Sequence, residues 1–131
     1  MTDTYERAIK EAEEWLISAK DKIILAEEEE SASAVCCALA IHAIIRANDA
    51  LALKFLGHKS TRHDDASALF SKILQQNKIP SESSRFLRLI QKAMIDKSGA
   101  DYGKKTFDYE CAKEYVDETE EFVLTVRNYM K

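Results

Sequence analysis

From Thr4 to about Glu29, the residues Tyr5, Ala8, Ile9, Ala12, Trp15, Leu16, Ala19, Ile23 and Ala26 recur at spacings of three and four, which predicts an amphipathic helix. The stretch from Ser33 to Gly57 reads differently. It is apolar almost all the way round, the pattern of a helix at the centre of a bundle. Its few interior polar residues, His42, Arg46 and Asp49, follow one another at four and three. At ~100° per residue these side chains share a stripe roughly 60° wide. Charges on a core helix need either partners or a ligand, so this stripe is the first candidate for function.

The acidic run Glu27 to Glu30 suits the N-terminus of a following helix better than the C-terminus of a preceding one, which puts a break near Glu30 with Ser31 or Ser33 as cap. Gly57 reads as a left-handed helix stop, and HKSTRHDD follows as a polar connection in which Asp64 can cap the next element. A third, shorter helix then runs to about Asn77 with Ala68, Leu69, Ile73 and Leu74 inward. Ile79 and Pro80 end it. Ser81 is placed to cap a fourth helix carrying Phe86, Leu87, Leu89, Ile90, Ala93 and Met94, which Gly99 stops. After the loop GADYGKKT a fifth helix starts near Thr106 or Asp108 and buries Cys111, Tyr115, Phe122, Val126 and Tyr129. No segment alternates with period two long enough for a sheet. The expected fold is all-α, an up-and-down bundle of four main helices plus one shorter helix, formed by a single domain over residues 1–131.

Composition narrows the function classes. Three Gly and one Pro in 131 residues are too few for a fold of strands and tight turns. The net charge of −4 means that any nucleic-acid contact must use a local basic patch. Three cysteines, two of them adjacent, are not a disulfide framework and point to a reducing compartment. The longest uninterrupted apolar run, Val35 to Ile41, is too short to span a bilayer, and the N-terminal MTDTYERAIK has no basic region followed by an apolar one. The expectation is a cytoplasmic protein with no membrane contact.

Several groups of residues carry candidate chemistry. The stripe of His42, Arg46 and Asp49 reads either as an internal ion pair of Arg46 with Asp49 or as one wall of a polar cleft. His58 and His63 flank the connection after the core helix, where a solvated role competes with one as acid, base or phosphate-edge donor. Lys97, Asp101, Tyr102, Lys104 and Lys105 gather around the Gly99 to Gly103 loop, and an aromatic between lysines can stack a base while the ammoniums meet phosphate. The cysteines read as small apolar residues. No zinc spacing, phosphate loop, nucleophile elbow or paired catalytic carboxylate is present, so no metal, cofactor or catalytic residue is assigned.

The order ALAIHAIIRANDALALKFLG, STRHDDASALF, KSGADYGKKT and DYECAKEYVDETEEFVLTVRNYM resembles the HEPN superfamily over nearly the whole chain from about Ser31. That resemblance implies a helical bundle that commonly forms a homodimer, is often encoded beside a minimal nucleotidyltransferase, and in many members is an RNA-cleaving toxin or defence protein. Catalytic members carry an Arg followed four to six residues later by His, and this chain has no such pair. The resemblance therefore points to a non-catalytic module. Its recurring polar pieces fall here on Asp49, His63, Lys97 and Tyr102, which with Arg46 form the expected binding residues for a nucleotide, RNA or partner protein. Two other readings stand beside it: a metal-independent ribonuclease with a relocated pair, Arg46 and His63, and a scaffold or antitoxin subunit. The last would expose apolar residues on the first and last helices.

Overall fold

The computed structural model describes residues 3–62, 65–103 and 105–131. Among these residues are five α-helices: α1 (Tyr5–Ala26), α2 (Glu30–Leu56), α3 (Ala66–Gln75), α4 (Leu87–Tyr102) and α5 (Tyr109–Tyr129), with a short 3₁₀ segment, Ser81–Phe86, leading into α4. Thr4 caps α1 by accepting from the Arg7 amide at 3.2 Å, and Asp108 caps α5 by accepting from the Cys111 amide at 2.8 Å. Gly57 ends α2 in the left-handed region at φ 82°, where a side chain would be strained.

Helix α2 lies at the centre and packs on the other four helices. Ala19 meets Cys36 and Glu11 meets Arg46, so α1 and α2 run antiparallel. Asp101 lies against His42 while Met94 lies near Asp49, so α4 opposes α2 as well. Glu13 pairs with Arg127 and Lys20 with Glu120, which sets α5 antiparallel to α1. The four long helices thus alternate in direction, and α3 is the short fifth. By length and composition α2 is the one described helix able to cross a membrane, with 61% of its most apolar window buried here. Its apolar character is met by Ile9, Leu16, Phe70, Ile90, Phe122 and Val126 of the surrounding helices.

Several boundaries differ from expectation. Helix α1 stops at Ala26, and α2 begins at Glu30 with Glu29 in the cap position making no side-chain bond. Ser33 therefore lies inside α2, fully buried, with a hydroxyl that has no partner. On α3 the inward residues are Ala66, Phe70 and Ile73, while Ala68 is exposed. The large Phe70 ring sets the rotation of a ten-residue helix more strongly than a methyl group can. The cap expected at Asp64 falls outside the described residues. Ser81 opens the 3₁₀ segment, not α4.

Gly99 does not stop α4. The helix continues to Tyr102 and ends at Gly103, which is left-handed at φ 66°. Gly99 serves close packing: a Cβ placed there would sit 2.7 Å from the Lys105 Cβ. Cys111 and Tyr129 are half-buried members of the core's edge. Trp15, assigned above to the inner face of α1, stays 37% exposed and lies flat on His42.

Candidate functional site

The stripe on α2 opens on a seam between α1 and α4. At its centre is Arg46, whose side chain is only 15% exposed. Its guanidinium donates to Asp49 at 2.9 Å, to both oxygens of Asp3 at 3.2 Å, and to Glu11 at 2.9 Å. Lys59, from the connection after α2, reaches the same Asp3 at 2.9 Å. One cation is thus shared by three carboxylates, and the fork of N–H groups that makes Arg suited to this leaves no charge of Arg46 unmet. The ion pair foreseen from the i,i+3 spacing is present, with two further acids from α1 and the residues before it.

These contacts act differently on each group. Burial would lower the Arg46 pKa, but the hydrogen bonds to Asp3 and Asp49 more than offset it and raise it. The Arg46 hydrogen bond holds the Asp3 carboxyl down at about 2. Asp49 is only 6% exposed, and there burial outweighs Arg46 and pushes the carboxyl above its ordinary range. Asp49 Oδ2 is taken by Arg46, whereas Oδ1 accepts no hydrogen bond among the described residues.

Asp49 also forms part of the wall of a pocket of about 160 Å³. Lys59, Ser60, Thr61 and Arg62 supply its polar rim, and Ile45, Ala66 and Met94 its apolar side. Two cations and two hydroxyls beside a buried carboxylate can hold a small anion at the rim and a hydrogen-bond donor at the floor. Because Gly57 turns the chain back at the end of α2, these rim residues return over Asp49.

The other predicted residues lie elsewhere. Lys97 reaches Asp101 at 2.7 Å, one turn on, and Asp101 in turn lies 3.5 Å from His42 Nε2. Lys97 is thereby joined to His42 and not to Asp49, roughly 10 Å along α2 at 1.5 Å per residue. His42 is further held by Trp15, with ring centroids 4.8 Å apart and planes 24° from parallel. Tyr102, at the end of α4, is 73% exposed. His63 lies outside the described residues. Of the expected five, the structure brings together Arg46 and Asp49 alone.

Three polar sites were not foreseen. Asp96, 3% exposed, accepts from the Tyr115 hydroxyl and from Lys105 Nζ at 2.7 Å. Burial, then Asp96 itself, raises the Tyr115 pKa and keeps the phenol a donor. Asn48, 1% exposed, donates to the Ala66 carbonyl at 3.0 Å and ties α2 to the start of α3. Asp3 and Glu11 complete the Arg46 network. Asp96 did carry a signal, since it falls at three after Ala93 and four before Ala100 on the inner face of α4. Asp3 carried none, because its contact spans 43 residues.

Among the described residues no group of three or more His, Cys, Asp or Glu is placed to hold a metal ion. Compared with known proteins, the chain matches no protein-family model and none of the curated proteins.

Proposed function

We propose that the chain is a helical binding module that takes a nucleotide or an RNA end in the pocket beside Asp49. The observation that carries this reading is the composition of that pocket: Lys59 and Arg62 with the Ser60 and Thr61 hydroxyls at the rim, and an Asp49 oxygen with no hydrogen bond among the described residues. Phosphate is matched by the rim, and a ribose hydroxyl or a base amino group by the carboxylate. A local patch of this kind is what a chain of net charge −4 requires for such a ligand. The HEPN-like order of segments supports the same class of ligand. With its donors given to Asp3, Asp49 and Glu11, Arg46 is a poor candidate for stabilising a phosphorane, which favours binding over the Arg46 and His63 ribonuclease.

A titration of labelled protein with AMP and with a short single-stranded RNA, followed by amide NMR, tests the proposal. Binding should shift the amides of Asp49 and Lys59 to Arg62. Asp49→Asn and Arg62→Glu should abolish the shifts while the urea midpoint stays within the range of an ordinary surface change. Unmoved amides with both ligands, or shifts confined to another surface, would sink it.

A second reading has its own support. Ile17 and Leu124, 59% and 55% exposed, lie between the Glu13–Arg127 and Lys20–Glu120 pairs, and Ile24, 71% exposed, follows Ile17 two turns on. An apolar strip with paired charges at its edge, on the first and last helices, suits a subunit that docks on a partner protein such as a minimal nucleotidyltransferase.

A further inference from the structure

A cavity of about 590 Å³ lies on another part of the surface, between α5 and the unit formed by the 3₁₀ segment and α4. It exists because α4 packs on α2 and α3 while α5 packs on α1 and α2, leaving the two helices joined chiefly near their ends. Arg85 pairs with Glu121 at one end, and Tyr115 donates to Asp96 towards the other. One wall is a basic row, Arg85, Arg88 and Lys92, and the other an acidic row, Glu114, Glu118 and Glu121. Both rows step by three and four and so lie along single helix faces.

The middle of the groove is where these charges stay open. Among the described residues Arg88, Glu114 and Glu118 enter no salt bridge, and Lys92 rests over the Tyr115 ring at 4.6 Å. Glu118 is pushed above the ordinary carboxylate range, by burial first and then by its hydrogen bond to Glu114, which marks negative charge without a matching cation. Nucleic acid laid here would meet the acidic wall, and a peptide of one sign would meet a wall of the same sign. A face with parallel rows of opposite charge is complementary to itself. Turning a second copy by 180° about an axis along the groove lays each basic row on the other copy's acidic row.

We propose that this groove is the contact surface between two copies of the chain, arranged about a two-fold axis running along it. The charge pattern alone carries this, independently of the pocket beside Asp49. Sedimentation velocity on the reduced protein, at concentrations up to ~0.5 mM, should show a dimer in low salt that weakens roughly tenfold or more near ~0.5 M salt, where the Debye length is a few ångströms. Arg88→Glu alone and Glu114→Lys alone should each give monomers, since each puts like charges across the axis. Both changes in one chain should restore the dimer, because the rows then exchange signs locally. Circular dichroism melts confirm that each variant is folded. A wild-type monomer at every concentration and salt, a dimer mass unmoved by the single reversals, or a folded double variant that stays monomeric would overturn the assignment.

Discussion

Replacing Arg46 by Met removes the one cation that Asp49 touches and keeps much of the apolar stem. The cost can be worked out from exposure. Breaking a fully buried ion pair costs roughly 3–5 kcal/mol, because the surviving charge is stranded, whereas an exposed pair contributes roughly 0–1 kcal/mol. The Asp49 side chain is 9% exposed and belongs to the first class, while Asp3 and Glu11, at 21% and 37%, lie nearer the second and regain water. We expect Arg46→Met to lose about 3 kcal/mol at neutral pH, a large part of the roughly 5–15 kcal/mol typical of a domain. Urea unfolding followed by helical circular dichroism measures it.

The loss should depend on pH with a definite sign. Asp49 is already raised in the folded wild type, and removal of Arg46 raises it further, so the folded variant binds a proton more readily than its unfolded form. Its deficit is therefore full above the folded pKa of Asp49 and shrinks as the pH falls towards 3.8, the ordinary carboxylate value. Asp3 acts in the same direction. In the wild type its carboxyl is held at about 2, a gain present above 3.8 and lost as the pH falls through 2, and without Arg46 that gain is absent throughout. Adding Asp49→Asn to the variant should recover at least half of the loss. A deficit below about 1 kcal/mol, equal at pH values of about 7 and 5, would refute the claim that Arg46 holds a buried charge.

Two further outcomes follow from packing. Gly→Ala inside a helix ordinarily stabilises by roughly 0.5–1 kcal/mol, yet Gly99→Ala should destabilise by about 1 kcal/mol or more, because the new methyl meets the Lys105 Cβ at 2.7 Å; a gain in urea midpoint would refute this. Of the three thiols, Cys36 and Cys37 are fully buried, and burial pushes Cys36 up to about 11 and raises Cys37 as well. Ellman's reagent on the native protein should therefore label at most the half-buried Cys111, with the other two appearing only on unfolding. Rapid labelling of all three would contradict the packing of α2.

Periodicity and caps were legible in the sequence. They placed five helices and named the central one, because a stretch apolar on every side can be satisfied only by neighbours on every side. Thr4, Asp108 and Gly57 marked ends correctly, since a cap is a local bond or a local dihedral angle. Gly99 misled for a related reason. Glycine answers equally to a left-handed turn and to a close neighbour, and only the approach of Lys105 across the loop tells which one applies.

The candidate site divides in the same way. The stripe of His42, Arg46 and Asp49 follows from the helical repeat alone, as does the pairing of Arg46 with Asp49. Which other groups meet that stripe depends on how α1 and α4 lie against α2. Tertiary packing brought Asp3 and Glu11 to Arg46, sent Lys97 to Asp101 and His42, and folded Lys59 to Arg62 back over Asp49. The repeat of a helix determines which side chains share a face. The angle at which helices pack determines what that face meets, and it is set by every side chain between them at once.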